Sequence, residues 1–278
     1  MTHQWAYGWG YTAHRLINRE AVNLLNFPLG EFFSGHINYI SEHAVDPDLW
    51  KIDKENHPNE SPGHFIDADL FDDHPFKKIP RKWEDVVNKY GEKKLDSWGT
   101  APWRIEEYYY RLVRQFRDGE WIKARLTAAA LGHYVSDIHV PFHTCENYNG
   151  QLTGNKGVHK RWESNMVEEF LLDAMNTSGR LIGFDDPVSQ AFLIVEESFP
   201  HVSTILAAET KARETIPVQS RSTISDWKVS MFGSEYIRVL YDETGVLAVS
   251  RMEMASLRVA SYWHSAWVAA GKPSPPTR

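Results

Sequence analysis

Apolar positions recur along this chain at spacings of three and four, the period of an amphipathic helix rather than of a strand. Between Ala13 and Leu25 the apolar set is Leu16, Ile17, Ala21, Leu24 and Leu25, which predicts a helix with Thr12 as its N-cap. A second helix is predicted from Glu31 to Ala44. Ala101-Pro102-Trp103 opens a helix to about Arg117, with proline at an early position where its missing N–H costs little, and Gly119 breaks it. Trp121 to Ile138 carries Ala124, Ala128, Leu131 and Val135 on one face, and Pro141 ends it. Further helices are predicted for His159 to about Met175, Pro187 to Ala208, Ile224 to Thr244 and Val246 to Ala270. No segment is rich in strand signals and no internal repeat is visible. The predicted fold class is all-α, one multi-helix domain over residues 1–278.

Two stretches interrupt the helical pattern. Val45 to Arg81 is rich in Pro, Asp, His and Asn and reads as a long structured loop, too full of aromatic residues and histidines to be a linker. His139 to Val158 is a second loop, rich in Gly and Asn. The tail from Lys272 to Arg278 has three prolines and is expected to fray. Met1 to Gly8 reads as an N-terminal extension.

Composition narrows the function classes. With 278 residues, 42% of them hydrophobic, the chain can bury a sizeable core. The formal net charge of −7 argues against a nucleic-acid binder held by backbone charge. It does not argue against a nuclease whose local positive charge comes from bound metal ions. A single cysteine, Cys145, allows no intrachain disulfide. No apolar run of spanning length is evident, so no transmembrane segment is expected, and residues 1–5 show no signal-peptide pattern. Eleven tryptophans and 12 tyrosines are expected mostly in the core and in pocket walls.

Candidate chemistry is concentrated in four places. In Leu131-Gly-His133-Tyr-Val-Ser-Asp137-Ile-His139-Val-Pro-Phe-His143, His133 and Asp137 stand at i and i+4 on one helix face. Both can therefore reach one ion, and the two oxygens of Asp137 could bridge two. Gly157-Val-His159-Lys-Arg-Trp-Glu163 repeats the i, i+4 arrangement. His143, His159 and Glu163 make a three-ligand set with an open position, as a catalytic site requires. Gly63-His64-Phe65-Ile66-Asp67 is the third place, with Asp48 upstream and Asp46 an alternative two residues away. Trp9-Gly-Tyr-Thr-Ala-His14 is the fourth. Each is weak alone; their joint occurrence in one all-α chain is the signal.

The order Trp-x4-His, Asp, His-Phe-Ile-Asp, His-x3-Asp-x5-His, His-x3-Glu resembles the zinc-dependent phospholipase C superfamily, which also holds the zinc-dependent single-strand nucleases. The match runs over residues 9–163, and the segment around Arg258 to Trp267 looks similar as well. The resemblance implies an all-α bundle with a metal cleft and up to three Zn²⁺ ions. Asp48, His64, His133 and Asp137 would hold the first, and His143, His159 and Glu163 the second. Asp137 would bridge to a third, completed by His14 and by the backbone of Trp9. In the family that tryptophan is the mature N-terminus. Here eight residues precede it, so the third site requires cleavage after Gly8 or a replacement for the free amine.

Such a cluster suits hydrolysis of a phosphodiester by a metal-activated water, with one ion left to neutralise the leaving oxygen. Asp48 and Asp137 are the residues expected to take part in catalysis, Asp48 by orienting the water. Phe65, Asp67 and Tyr148 are expected to contact a nucleobase or a lipid headgroup. Glu163 in the last ligand position leans toward the phospholipase C branch, whereas His64-Phe-Ile-Asp67 and the Trp9–His14 spacing lean toward the nucleases. The primary expectation is a phospholipase C-like phosphodiesterase, with a single-strand-type nuclease or nucleotidase next. A zinc-stabilised binding protein without turnover is the reading from another class. The superfamily's members are mostly exported, which implies an extracytoplasmic location. His139 is expected to point away from the ligand face, as an orienting donor or a surface residue. Lys77, Lys78, Arg81 and Lys82 are expected to form a solvated face, and at least one of Tyr108, Tyr109 and Tyr110 to be exposed.

Overall fold

The computed structural model describes residues 9–216 and 233–276. The fold is all-α, with no strand among the described residues. Helix α1 spans Tyr11–Asn23 and buries Ala13, His14, Ile17, Asn18, Ala21 and Val22. Its N-cap is Gly10 without a side-chain cap bond, so the Thr12 cap is not formed. The expected helix from Glu31 to Ala44 is broken into α2 (Leu29–Ser34) and α3 (Ile37–Glu42), with Gly35 between them. After a short turn at His43–Val45, α4 (Asp46–Trp50) begins the supposed loop. The rest of that loop is ordered by tight turns at Ser61–His64 and Ala68–Leu70. Two short helices had no counterpart in the sequence reading: α5 (Trp83–Tyr90) and α6 (Glu92–Trp98), each ended by a glycine with positive φ.

The centre is α7 (Ala101–Arg117) against α8 (Trp121–Asp137), both with the predicted bounds to within a residue. Helix α8 is buried almost throughout its C-terminal two-thirds, Thr127 to Asp137 without a break. A helix apolar or small on every side belongs in the middle of a bundle. Ala128, Ala129, Ala130 and Gly132 let neighbours approach closely. The Trp263 indole donates to the Ala128 carbonyl (2.9 Å), and Asn18 Nδ2 to that of Ala129 (3.1 Å). A Cβ on Gly132 would strike the Asn18 side chain. This close approach brings α1, and with it His14, onto the C-terminal part of α8.

The chain then forms α9 (Val158–Lys160), a π-helical turn over Arg161–Met166, and α10 (Val167–Phe170). Helix therefore stops some five residues before Met175. The predicted helix from Pro187 is two: α11 (Pro187–Ser198) and α12 (His201–Thr215), parted at Phe199-Pro200 because proline cannot continue the hydrogen-bond ladder. The run Pro187–Thr215 reaches a mean hydropathy of 1.2 over 18 residues, enough by length and composition for a membrane span. This corrects the expectation that no such run exists. Its apolarity has a local cause: Val188, Ala191, Phe192, Ile194 and Val195 are buried in the core, on the side that meets α7.

One helix, α13 (Ser234–Ala269), replaces the two predicted after Ile224; it passes through Gly245, and residues 217–232 lie outside the described part. It packs on α1, α7, α8, α12 and the π turn. The tail is tied back at its start, where the Trp267 indole donates to the Pro273 carbonyl (2.9 Å). Of the three tyrosines on α7, Tyr108 and Tyr109 are buried and Tyr110 is exposed, as the helix period requires.

Candidate metal centre

The C-terminal turn of α8 carries His133 and Asp137, both fully buried. Around them converge His14 from α1, Asp48 from α4, His64 from the Ser61–His64 turn, His143 from the turn after Pro141, and His159 and Glu163 from the α9/π-turn segment. Eight predicted ligands thus come together from six separate pieces of chain. They form three groups with metal-ligand proximity: His14, Asp48 and His133; His64, His133 and Asp137; His143, His159 and Glu163. The residues could hold a metal ion in each half of the cluster.

In the first half, His64 Nδ1 lies 2.8 Å from Asp137 Oδ2, 3.1 Å from His133 Nε2 and 4.0 Å from Asp48 Oδ1. His133 Nε2 lies 3.2 Å from Asp137 Oδ2 and 3.8 Å from Asp48 Oδ1. A regular tetrahedron around an ion with bonds of about 2.1 Å has edges of about 3.4 Å, so these donors stand close to the corners an ion requires. The other oxygen of Asp137 faces His14 Nε2 at 3.4 Å and His143 Nδ1 at 3.9 Å. Asp137 therefore has one oxygen on each side, as a bridging carboxylate does. In the second half, Glu163 Oε2 is 2.8 Å from His159 Nε2 and 3.8 Å from His143 Nε2.

Outward partners set the tautomers. His133 Nδ1 donates to the Ala44 carbonyl (2.7 Å) and His143 Nδ1 to that of His64 (2.6 Å). Ser136 Oγ already donates to the His133 carbonyl, so it accepts from His14 Nδ1 (2.8 Å). Each of these rings is left with an Nε2 lone pair turned into the cluster. His64 is reversed: its Nδ1 faces inward, and its Nε2 lies 3.3 Å from Glu60, which the Tyr134 hydroxyl holds at 2.5 Å. A histidine oriented by a carboxylate, carbonyl or hydroxyl on its far side is the usual support of a metal ligand. On the inner side, His14 Nε2, Asp48 Oδ2, Asp137 Oδ1, His143 Nε2, His159 Nε2 and both Glu163 oxygens make no hydrogen bond. Buried polar atoms without partners are costly, and an ion would satisfy this whole set.

The electrostatics follow from burial and neighbours. Burial pulls His14 down to about 4, and the His133 ring stacked on it at 3.9 Å adds to this. Burial and His143 likewise hold His159 well below the ordinary range. Such rings are neutral, as metal ligands must be. At His133, burial acts downward but is overcome by the carboxylates of Asp137 and Asp48.

Asp48, rather than Asp46, belongs to the cluster. Asp46 accepts from His43 at 2.6 Å on the part-exposed side of α4. Asp48 points inward and meets Lys51 Nζ at 2.5 Å. Lys51 and Glu60, both buried, are functional candidates that the sequence reading missed. The i, i+3 spacing of Asp48 and Lys51 was visible, but a lysine so close to a metal site has no meaning until it is known to be buried.

Trp9 is buried; its indole donates to the Ser136 carbonyl (3.0 Å) and packs on Trp162. It thus lies against the residue that orients His14. Met1 to Gly8, on which a third site depends, lie outside the described residues. His139 is fully buried, with Nδ1 on the Val135 carbonyl, which corrects the surface alternative. Cys145 is buried and joins no metal group among the described residues. Tyr148 packs edge-on to His159 at 6.3 Å, and Phe65 is half-buried beside His64. Asp67 is buried with Oδ1 unpartnered; burial, Asp69 and Glu146 raise its carboxyl to about 8. The basic cluster is less uniform than expected: Lys78 is solvated and Lys77 pairs with Glu196, but the Arg81 guanidinium stacks on Phe192 at 3.7 Å. No protein-family model matches the chain, and no curated protein matches it significantly.

Proposed function

We propose that the chain is a zinc-dependent phosphoric ester hydrolase of the superfamily it resembles, cleaving phosphodiesters. The observation that carries this reading is the division of labour on the buried donors. The outward nitrogens of His14, His133 and His143 are tied to a hydroxyl and two carbonyls and that of His64 faces a carboxylate, while inward atoms of six of the eight residues have no hydrogen-bond partner. Imidazole nitrogens with carboxylate oxygens, no thiolate and near-tetrahedral spacing favour zinc over magnesium or calcium, which prefer all-oxygen shells. Zinc bound there would lower the pKa of a coordinated water toward neutrality and polarise the phosphate.

The chain's own groups set the rest. Asp48 offers a second oxygen beyond the one nearest His133, and it can orient the attacking water. Lys51, held at Asp48 Oδ1, is a buried ammonium beside the cluster, and it could meet a phosphate oxygen. Asp137 keeps its charge and, with one oxygen toward His64 and His133 and the other toward His14, could bridge two ions. His143, His159 and Glu163 would hold the ion that neutralises the leaving oxygen. Tyr148, edge-on to His159, and Phe65, half-buried and next to His64 in the chain, would be the apolar contacts of a substrate.

The phospholipase C-like reading and the nuclease reading divide at Asp67. A charged carboxylate would suit a quaternary ammonium headgroup. A buried Asp67 that keeps its proton to about pH 8 is instead a hydrogen-bond donor, which suits the ring nitrogen or carbonyl of a nucleobase. This observation favours the nuclease alternative over the Glu163-based lean to lipids. The test is hydrolysis of bis(p-nitrophenyl) phosphate by chelator-treated and zinc-reloaded protein, followed by phosphatidylcholine against single-stranded DNA. Zinc-dependent turnover of the aryl diester is expected. Stoichiometric zinc without turnover of any of the three substrates would leave only the zinc-stabilised binding protein.

A further inference from the structure

His133 and His143 are each aimed by a hydrogen bond from Nδ1 to a carbonyl, but His159 has none: its Nδ1 is buried and makes no hydrogen bond. Something else must set the direction of that ring and of Glu163 four residues on. Arg161 sits midway between them. On a helical turn, positions two apart project from opposite sides, so when His159 and Glu163 face the cluster Arg161 faces away. Its guanidinium is 4% exposed and reaches Glu209 on α12, itself fully buried. Nε donates to Glu209 Oε2 (3.3 Å), and Nη2 donates to Oε1 and to the carbonyls of Asn155 (3.2 Å) and Lys156 (3.1 Å).

Glu209 is itself held from two sides. The Tyr236 hydroxyl of α13 donates to Oε1 (2.6 Å), and Arg213 Nε does so at 3.1 Å. The loop before His159 is tied to the same helix, since Asn155 Nδ2 donates to the Leu206 carbonyl (3.2 Å) and to Thr210 (3.3 Å). Gly157 lies between, at φ +91°, and a Cβ there would meet Arg161 Nη1 at 2.5 Å. The segment therefore has one rotational setting about its own axis. The π-helical turn over Arg161–Met166 is the local deviation that this setting requires.

We propose that Glu209 is a positioning residue for the His143/His159/Glu163 half of the metal centre, acting through Arg161. This rests on the metal reading of the site. A buried ion pair contributes little net stability compared with apolar residues of similar size; its use here is to fix orientation.

The test is competition of wild type, Glu209→Gln and Tyr236→Phe with a chromophoric zinc chelator, together with the visible absorption of Co²⁺-substituted protein. Glu209→Gln is expected to weaken one ion by about 10–100-fold, the range found when a ligand's outer support is removed, and to alter the Co²⁺ spectrum. The other ion should be unchanged. Tyr236→Phe, which keeps the Arg161–Glu209 pair, is expected to weaken the same ion by less than about 10-fold. On a His159→Ala background, Glu209→Gln should cost less than it does alone, since only Glu163 is left for it to position. The proposal is overturned if both ions weaken together in step with a lower Tm, or if the His159→Ala background shows the full additional loss. It is also overturned if Glu209→Gln does not fold while Tyr236→Phe leaves both ions unchanged. A wild type that binds no zinc or Co²⁺ overturns the metal reading itself, a result distinct from all of these.

Discussion

Asp137 and Glu163 are both fully buried carboxylates beside histidines, yet their surroundings drive them in opposite directions. At Asp137 the penalty of burial is overcome chiefly by the charges of His133 and His143, which hold its carboxyl well below the usual range. At Glu163 burial acts with the charges of Asp137 and Asp48, and its carboxyl is pushed well above the usual range. The first half of the centre thus presents its negative charge in advance. The second half is a neutral pocket that must give up a proton as an ion arrives. Its histidines differ likewise: His133 is aimed by its own hydrogen bond, whereas His159 depends on the turn that carries it. The first half is preorganised in charge and in the aim of its rings; in the second, His143 is aimed by its own hydrogen bond and His159 only by the turn that carries it.

The largest test of this contrast is Asp137→Asn, which removes the negative charge that the first half presents. Turnover of an aryl phosphodiester is expected to fall by on the order of 10³-fold, about 4 kcal/mol, with at least one equivalent of zinc lost on dialysis. Near-normal zinc content with unchanged turnover would rule out the bridging role. Zinc titration of chelator-treated protein comes next. Two binding steps are expected, each adding about 2.7 kcal/mol of stability at a free concentration 100 times its Kd. Only the weaker should show marked proton release from a carboxyl, readable by calorimetry in buffers of different ionisation enthalpy. Proton release confined to the tighter step would reverse the assignment of the halves.

Asp67 behaves as Glu163 does and offers a pH test. Its carboxyl rises from 3.8 to about 8, so between those values the folded protein keeps a proton that the unfolded chain has released. The associated stability is complete below pH 3.8, declines as pH rises, and is gone above about 8. Asp67→Asn, measured by thermal melts of chelator-treated protein, should flatten this decline. At pH 8.5 it should be more stable than wild type by about 3 kcal/mol, half of what the whole shift would carry at about 1.4 kcal/mol per pH unit. Parallel curves for the two proteins would contradict the raised value. The smallest effect is expected from Glu60→Gln, which weakens the support behind His64. A loss of about 10-fold in affinity for the first ion only is expected, and an equal loss at both would erase the distinction between the halves.

The helices that read most clearly are those with a full apolar period and a strong terminator. Helices α7 and α8 lie within a residue of where the pattern puts them, because Pro102, Gly119 and Pro141 mark their ends chemically. The misses share a cause. Helices α5 and α6 are amphipathic but short, and the 82–98 stretch is charged enough to pass for loop. The helix predicted from Pro187 runs across Phe199-Pro200, where the apolar pattern continues but the helix breaks, and α13 runs without interruption through Gly245, between two predicted helices.

The sequence by itself determined the donor set: His133 with Asp137, and His159 with Glu163, are legible because side chains four apart share one helix face whatever surrounds them. The flanking His14, His64 and His143 were legible only through their order and spacing. Tertiary structure decided what no spacing could. It selected Asp48 over Asp46, since only one side of α4 faces the cluster. It buried Lys51 beside Asp48 and Glu60 behind His64, and it placed Glu209, 46 positions after Glu163 in the chain, behind the turn that carries it. It also set the opposite charge states of Asp137 and Glu163. Burial and the sum of neighbouring charges are properties of the folded volume, and the linear sequence does not contain them.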